Sequence, residues 1–194
     1  MGNMRSTNRG RLRIIGGLWR GRKLQIVETA GLRPTPDRVR ETLFNWLSAE
    51  TGGSRCLDLF SGSGALGLEA LSRGAVHCVF IDTAAAAITA IRQQLDSLDC
   101  NSADTHQCDG LRWLQDTPSP DQTFDIVFLD PPFQQNLLAP ACELLEARAW
   151  LAPAAHIYLE SGAREESPKL PPGWTLKREK LAGEVRYQLF VRRG

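Results

Sequence analysis

Between Arg55 and Glu160, short apolar segments typical of β-strands alternate with segments that have the periodicity of α-helices. The strand segments are RCLDLF, AVHCVFI, ADTHQC, FDIVFL and AHIYLE. The helical segments that separate them cover 64–73, 84–98, 110–115 and 135–147. Such alternation is typical of parallel strands, because each helix returns the chain across the sheet before the next strand begins. The sequence therefore predicts a doubly wound, Rossmann-like α/β domain.

Segments at both ends of the chain extend this pattern. RLRIIGGLWRGRKLQIV has two apolar runs around a glycine-rich turn, which predicts a β-hairpin over 11–27. Trp19, at its tip, would either stack on an unpaired base or pack on the domain. RPTPDRVRETLFNWL then opens with prolines that favour a helix start. TLKREKL and VRYQLFVRR flank Gly183 and predict two last strands joined by a turn. We divide the chain into a basic extension, 1–34, and a main domain, 35–194.

Basic residues are concentrated at the N-terminal end. The net charge of the chain is only +1, but residues 1–40 hold ten Lys and Arg against two acids, Glu28 and Asp37. The rest of the chain has 13 basic and 20 acidic residues. Such asymmetry is typical of a protein that binds a polyanion. The alternative is a solvated tail. We expect such a tail over 1–9 only, because the hairpin pattern of 11–27 argues against disorder there.

Membrane, secreted and metal-binding proteins do not fit this composition. With 194 residues, of which 42% are hydrophobic and 23% charged, the chain is typical of one globular domain. No apolar run approaches ~20 residues and the N-terminus lacks an apolar leader, so we expect a cytoplasmic protein. The five dispersed cysteines predict reduced thiols, and the three histidines lack ligand spacing, so we expect no metal site.

A glycine-rich loop follows the first strand of the α/β pattern. In LDLFSGSGALGLEA, Gly62, Gly64 and Gly67 have the spacing G-x-G-x-x-G, and Asp82 ends the next strand 20 residues after Gly62. This spacing is typical of a nicotinamide dinucleotide site, in which the acid binds a ribose. It fits S-adenosylmethionine equally well, since that molecule also has a ribose and an adenine. Without a ligand, the glycines would form a tight turn and Asp82 would cap a helix.

Acidic residues around the loop favour S-adenosylmethionine over a dinucleotide. Asp58 lies at the end of the strand, with Phe60 and Ser61 between it and the glycines. A carboxylate there would repel a pyrophosphate, which binds at a bare helix N-terminus. It would suit a methionine moiety that carries an ammonium and a sulfonium. Asp109, in CDGLRWL, would recognise an adenine amino group or, on an equal footing, cap the helix that follows.

The segment FDIVFLDPPF ends a buried strand with Asp130, Pro131, Pro132 and Phe133. We call these four residues the proline corner; its adjacent prolines have fixed φ angles and hold neighbouring groups in one geometry. One group that such a corner would suit is an exocyclic amine of a nucleic-acid base. This amine is a weak nucleophile because its lone pair is delocalised into the ring. Asp130 and the carbonyl of Pro131 would accept its two N–H bonds, and Phe133 would stack on an extruded base. The alternative is a proline turn that caps a core strand around a buried phenylalanine.

Together, these motifs resemble a known class of enzymes. LDLFSGSGALGLEALSRGA followed by FLDPPF is similar to class I S-adenosylmethionine-dependent amino-methyltransferases of nucleic acids. RIIGGLWRGRKL and LRPTPDRVRETLFNWL narrow the resemblance to the bacterial RsmD family, whose members methylate N2 of one guanine in small-subunit ribosomal RNA. The resemblance extends from Arg11 to Arg192, and the segment after Gly162 carries no distinctive motif.

This resemblance implies a seven-stranded methyltransferase sheet whose last two strands form an antiparallel pair, preceded by an RNA-binding extension. It implies that Asp82 binds the ribose of S-adenosylmethionine and that Asp109 and Gly110 bind its adenine. It also implies ribosomal RNA or the small ribosomal subunit as the partner, and we expect a monomer. Thr35 and Arg40 are further candidates for contact with the cofactor or the proline corner. The residues that would surround the methionine end are Phe60, Ser61, Gly62, Ser63 and Gly64.

Three alternatives stay open on the residues alone. The proline corner does not distinguish guanine N2 from adenine N6 or cytosine N4, in RNA or DNA, so the choice of guanine and of RNA rests on the resemblance. A NAD-dependent oxidoreductase of Rossmann fold is disfavoured by Asp58, by the proline corner and by the lack of chain for a second substrate domain. A non-catalytic RNA-binding protein with the same fold is the third alternative.

Overall fold

The computed structural model describes residues 11–25, 36–116, 122–133 and 135–193, and these ranges contain nine strands and five helices. The strands are β1 (Arg11–Arg13), β2 (Lys23–Gln25), β3 (Arg55–Asp58), β4 (His77–Asp82), β5 (Ala103–Gln107), β6 (Phe124–Leu129), β7 (Leu151–Gly162), β8 (Trp174–Ala182) and β9 (Val185–Arg192). The helices are α1 (Asp37–Trp46), α2 (Ala65–Ser72), α3 (Ala85–Ser97), α4 (Gly110–Trp113) and α5 (Leu138–Ala147).

Seven of the strands form one sheet in the order β5-β4-β3-β6-β7-β9-β8. The first five are parallel, and β9 runs antiparallel to both of its neighbours. Helices α1, α2 and α3 pack on one face, in the first core cluster around Phe44 and Phe128. Helix α5 and the end of α4 pack on the other face, in the second core cluster around Val127 and Leu145. The doubly wound sheet of seven strands, with its antiparallel last pair, is therefore confirmed.

The central strands are apolar on both faces because helices cover both. In β3, Cys56 packs in the first core cluster and Leu57 in the second. In β6, Phe128 and Val127 are divided between the two clusters in the same way. All four side chains are fully buried. The strand segments of the sequence are therefore continuous apolar runs instead of alternating ones.

Two element boundaries differ from the sequence prediction. Helix α5 begins at Leu138, three residues later than expected, because Asn136 has a left-handed backbone with a φ of 53° that a helix does not accommodate. Strand β7 begins at Leu151, whereas the sequence predicts a start at Ala155. Its first residues bulge against β6, where the register shifts and Ala154 has a φ of 59°. The alternation that identifies a strand is lost in such a bulge.

The N-terminal hairpin is confirmed, and it packs on the main domain. Strands β1 and β2 pair antiparallel, with Leu12 opposite Leu24. Ile14 and Leu24 are buried in the first core cluster. The hairpin therefore shares a hydrophobic core with the α/β sheet. The expected tail, 1–9, and the end of the expected hairpin, 26–27, lie outside the described residues.

A buried carboxylate holds the hairpin against α2. Glu69 is fully buried, and its two oxygens accept hydrogen bonds from the backbone N–H groups of Ile15 and Gly16, each at 2.8 Å. The same carboxylate pairs with Arg73 at 2.7 Å and with Arg40 at 3.4 Å. One side chain thus satisfies two backbone donors and two cations. We call these five residues the Glu69 cluster.

Arg40 is an internal member of this cluster. Its side chain is fully buried and also donates to the carbonyl of Arg13 at 2.9 Å and to Asp37 at 2.6 Å. These bonds engage the guanidinium within the fold, so Arg40 does not extend toward a ligand. Thr35, the other candidate, lies outside the described residues. Trp19 is half-buried against the first core cluster, which corresponds to the packing interpretation of this residue.

The described part of the chain holds no helix that is long and apolar enough to cross a membrane. All five cysteines are free thiols, and Cys56, Cys78 and Cys142 are buried. Burial raises the pKa of the Cys56 thiol to about 12. The buried thiols therefore act as small apolar side chains of the core and not as nucleophiles.

Candidate active site

The carboxyl ends of β3 and β6 meet at the middle of the sheet. From β3 the chain continues outward to β4 and β5, whereas from β6 it continues in the other direction to β7. Ligands of open α/β sheets bind in the crevice that such a reversal of strand order creates. The glycine loop follows β3 and the proline corner follows β6, so the two predicted motifs flank this crevice.

The glycine loop is held in shape by the strands beneath it. The N–H of Gly64 donates to the carbonyl of Ser61 at 2.7 Å. Gly62 and Gly64 have φ angles of 50° and 75°, which glycine adopts without strain. The hydroxyl of Ser61 lies 2.8 Å from the carbonyl oxygen of Asp58 and 2.9 Å from that of Ile81. Ser61 therefore fastens the loop to the ends of β3 and β4.

Asp82, at the end of β4, is bonded to the glycine loop. Its Oδ2 accepts the N–H of Gly62 at 2.8 Å, and its Oδ1 accepts the N–H of Ala84 at 2.8 Å. The side chain thus holds the turn that leads into α3. This role is similar to that of a helix cap, which was the alternative for Asp82 without a ligand. Each carboxylate oxygen has a second acceptor position, so the half-buried group is also able to accept ribose hydroxyls.

Asp58 is buried beneath the loop. Its carboxylate accepts the N–H of Gly67 at 3.0 Å. Helix α2 approaches closely here, since a Cβ on Gly67 would lie 2.2 Å from the ring of Phe80. Burial raises the pKa of Asp58 well above its ordinary value, and the charges of Asp130 and Asp82 raise it further. A cation beside Asp58 would lower the free energy that ionisation of the buried carboxyl group requires. The position therefore favours a positively charged ligand.

Asp109 and Gly110 lie at the start of α4, against the end of β3. Asp109 is exposed, and its Oδ1 accepts the N–H of Arg112 at 2.8 Å, so it caps α4, which is one of the two roles that the sequence left open. A Cβ on Gly110 would lie 3.1 Å from the carbonyl oxygen of Leu59. Phe60, the next residue, is half-buried against the second core cluster. The start of α4 is therefore brought next to the glycine loop.

The proline corner projects from the end of β6. Asp130 is half-buried, Pro131 is buried, and Pro132 and Phe133 are exposed. Phe133 is 42% exposed, which excludes the alternative of a turn around a buried phenylalanine. Beside the corner lies a cleft of about 590 Å³, which is completed by the first turn of α5 and by residues 165–169.

Glu160, a residue that no sequence motif indicates, also lines this cleft. It lies near the end of β7, is 4% exposed and accepts a hydrogen bond from the hydroxyl of Tyr158 at 2.7 Å. Burial raises the pKa of Glu160 from 4.5 to about 8, and the charge of Asp130 adds to the shift. The available sequence signal was an acid at the end of a predicted strand, which is also the position of Asp58 and Asp82.

Glu160→Gln is expected to make the stability of the protein less dependent on pH. Between about pH 4.5 and pH 8 the folded protein keeps a proton on Glu160 that the unfolded chain has released, so stability falls as the pH rises through this window. Glutamine keeps an acceptor for Tyr158 but does not ionise. In denaturant unfolding, the free energy of unfolding of the variant relative to that of the wild type should increase as the pH is raised from about 5 to about 8. Glu166→Gln, an exposed position of the same cleft, is the control, and equal differences at both pH values would contradict the prediction.

Four acids therefore lie along one edge of the sheet, each in a different strand or directly after it. In the register of β6 and β7, Asp130 and Glu160 directly follow a paired position. Among the described residues, no group of three or more His, Cys, Asp or Glu side chains is placed to hold a metal ion. A cationic organic group beside this edge would favour the ionised form of its carboxyl groups, so the edge is suited to a ligand that carries positive charge. In the order of the strands, the acids are Asp82, Asp58, Asp130 and Glu160.

Comparison with known proteins identifies the family. The family model described as conserved hypothetical protein 95 matches residues 12–191. Ribosomal RNA small subunit methyltransferase D of Escherichia coli K12 is 46% identical to the chain over 183 residues, which cover 94% of this chain and 91% of that protein. The chain belongs to the RsmD family.

Other comparisons agree with membership of the RsmD family. Ribosomal RNA small subunit methyltransferase D of Haemophilus influenzae is 45% identical over 185 residues, with 94% of each chain covered. The solved structure of the putative methyltransferase yhhF from Escherichia coli has a TM-score of 0.88 and 43% identity, and it covers 95% of this chain and 99% of that one. The resemblance found in the motifs is therefore confirmed over nearly the whole chain.

Proposed function

We propose that this protein transfers a methyl group from S-adenosylmethionine to the exocyclic N2 amine of a guanine in small-subunit ribosomal RNA. The names of the relatives from Escherichia coli and Haemophilus influenzae support ribosomal RNA as the substrate. The reaction class is carried by one observation, the position of Asp130 and Pro131 beside the glycine loop at the switch point of the sheet. The reaction would take place in the cytoplasm, where ribosomal subunits are assembled.

The residues of the crevice fit S-adenosylmethionine better than a dinucleotide. Asp58 is buried close enough to other acids for their charges to raise its pKa, and a pyrophosphate would add charge of the same sign. The ammonium and the sulfonium of S-adenosylmethionine have the opposite sign. When bound, this cofactor supplies an electrophilic methyl group on sulfur. In our proposal, the loop from Phe60 to Gly64 holds its methionine end, Asp82 accepts its ribose hydroxyls, and the start of α4 adjoins its adenine.

Asp130 and Pro131 would activate the amine. The carboxylate and the carbonyl accept its two N–H bonds, which draws the nitrogen lone pair out of the ring. S-adenosylmethionine, held by the loop from Phe60 to Gly64, would supply the methyl group and keep the electron pair of the broken carbon–sulfur bond, and Asp130 would take the surplus proton of the methylated nitrogen. Alignment of the amine with the methyl group removes several kcal/mol of barrier. The exposed ring of Phe133 would stack on the extruded base, which is worth ~1–3 kcal/mol.

The basic extension, 1–34, would contribute to RNA binding. In its described part, the side chains of Arg13, Arg20, Arg22 and Lys23 are exposed. Cations of this kind bind phosphates and supply affinity without reading the base sequence. The hairpin would thus bind the substrate, while the site at the switch point performs the chemistry.

Nucleoside analysis of ribosomal RNA tests the proposed function. Small-subunit RNA from a strain that lacks the protein is compared by mass spectrometry with RNA from the parent strain and from a complemented strain. We expect one N2-methylguanosine to disappear and to return on complementation. Loss of N6-methyladenosine or N4-methylcytidine instead would assign another amine. Unchanged nucleosides would favour the non-catalytic RNA-binding alternative.

Asp82→Ala is expected to weaken cofactor binding by at least about tenfold, or ~1.4 kcal/mol. The carboxylate holds Gly62 in the loop and would accept ribose hydroxyls, and charge-assisted hydrogen bonds are worth roughly 1.5–3 kcal/mol each. Isothermal titration with S-adenosylhomocysteine measures the change. Asp104→Ala removes the same charge from an exposed position of β5 and serves as the control. Unchanged affinity in Asp82→Ala would leave Asp82 as a structural residue of the turn.

A further inference from the structure

A second groove lies between the first turn of α1 and the turn that joins β8 to β9. Its volume is about 570 Å³. Helix α1 contributes Arg38, Val39 and Thr42 to its lining, the end of β8 and the first residue of the turn contribute 180–183, and Tyr187 lies between them. The proposed chemistry uses none of these residues.

The groove adjoins the candidate active site. Tyr187 of β9 is paired with Glu160 of β7, which lines the cleft of the proline corner. Directly opposite residues of antiparallel strands have Cα atoms about 4.5–5.5 Å apart. Gly162, at the carboxyl end of β7, is paired with Val185, so the β8–β9 turn lies at the same rim of the sheet as the proline corner. A polymer that occupies the groove would therefore continue directly into the cleft.

The first turn of α1 lies at this rim as well. Glu50, just beyond the helix, is 3.9 Å from His156 in the first half of β7. Trp46 stacks on Tyr187, with ring centroids 5.4 Å apart. Since Tyr187 is opposite Glu160, near the carboxyl end of β7, Trp46 lies closer to the rim than Glu50 does. The helix then continues past Tyr187 to Arg38, about 12 Å further along its axis. The groove is thus open at the edge of the sheet that carries the site.

The charged side chains of its described lining are both cations. Arg38 and Lys180 are exposed, and neither makes an ion pair with another described residue. Glu179 lies on the other face of β8, where it is hydrogen bonded to Gln188. Two cations that face one groove repel each other unless an anion lies between them. Leu181, which is 63% exposed, adds apolar surface at the same turn. Phosphates and flat base rings together complement such a lining.

We propose that this groove binds the RNA backbone next to the target nucleotide, with Arg38 and Lys180 as the residues that bind its phosphates. This inference rests on the proposed function, because it takes the substrate to be RNA. It also connects the groove with the N-terminal hairpin, since Arg13 lies 3.6 Å from Asp37 in the first turn of α1. The basic hairpin therefore adjoins the start of α1, which lines the groove, and RNA that binds the hairpin would reach the proline corner along the groove.

A salt titration of RNA binding tests the inference. Arg38→Ala, Lys180→Ala and the double variant are compared with the wild type and with Arg148→Ala. Arg148 is an exposed cation directly after α5, at the opposite rim of the sheet, where β7 begins. Affinity for deproteinised small-subunit RNA and for small-subunit particles is measured over a range of salt, separately from kcat, KM and the affinity for S-adenosylhomocysteine. All altered positions are exposed, so thermal unfolding should be unchanged.

The groove variants are expected to lose affinity severalfold each and to raise KM by the same factor, with kcat and cofactor affinity unchanged. The slope of log affinity against log salt should become shallower by about 0.7–0.9 for each phosphate that the variant no longer binds. Arg148→Ala should match the wild type. Unchanged affinity and slope in the double variant would overturn the inference, as would a loss of affinity for the particles but not for deproteinised RNA, which indicates a protein partner. A wild type that binds RNA with this salt dependence but transfers no methyl group would overturn the proposed function alone.

Discussion

Asp130→Ala is expected to reduce methyl transfer at least a hundredfold while cofactor affinity stays within about twofold. In the proposed mechanism, Asp130 accepts one of the two N–H bonds of the base amine, and the carbonyl of Pro131 accepts the other. Without the carboxylate, the lone pair stays delocalised and the amine is not aligned with the methyl group. A hundredfold loss corresponds to about 2.7 kcal/mol of barrier, which is within what positioning supplies.

Single-turnover methyl transfer to small-subunit particles measures this effect. Asp125→Ala is the matched control, since Asp125 is in the strand that leads to Asp130, accepts the N–H of Arg55 at 2.8 Å and lies at the end of β6 away from the proline corner. This variant should keep its turnover. Asp130→Asn keeps one acceptor oxygen and should fall between the wild type and Asp130→Ala. If Asp130→Ala retains more than about a tenth of wild-type turnover, a change under ~1.4 kcal/mol, its role in holding the amine is wrong.

The order of strands and helices was predictable because it depends on local pattern. Helices cover both faces of the central strands, so runs such as CVFI and IVFL had to be continuously apolar. The bulge before Ala155 was not predictable, because it depends on how β7 fits against β6 and not on the composition of either strand. The late start of α5 was not predictable either. Asn136 has a left-handed backbone that keeps the helix from beginning earlier, and an asparagine side chain permits this conformation but does not require it.

The candidate site was predictable where its residues are neighbours in the sequence. The glycine loop and the proline corner each lie within a few residues of a strand end, and their spacing indicates a ligand. Glu160 has no such neighbours, and its place in the cleft follows only from the pairing of β7 with β6. The groove of Arg38 and Lys180 joins positions from the two ends of the chain, so no local pattern reveals it. Asp82 shows a further limit, since the same carboxylate holds the turn and is still able to accept ribose hydroxyls.

Glu69→Ala is expected to lower the free energy of unfolding by roughly 3–5 kcal/mol, the usual cost of removing one partner from a buried ion pair. The guanidinium of Arg40 would stay fully buried without this carboxylate, although it keeps its bond to Asp37. The N–H groups of Ile15 and Gly16 would also lose their acceptor. Both effects act on the hairpin, so its docking on α2 should be lost first.

Denaturant unfolding measures the loss, and Glu143→Ala is its control because Glu143 is an exposed position of α5, where a change within about ±0.5 kcal/mol is usual. Hydrogen exchange at the amides of Ile15 and Gly16 should become fast in Glu69→Ala well before the sheet opens. Adding Arg40→Met to Glu69→Ala should recover part of the lost stability, since it removes the uncompensated charge and keeps an apolar side chain in the core. A double variant that is less stable than Glu69→Ala would show that Arg40 stabilises the fold through Asp37 and the carbonyl of Arg13 more than through Glu69.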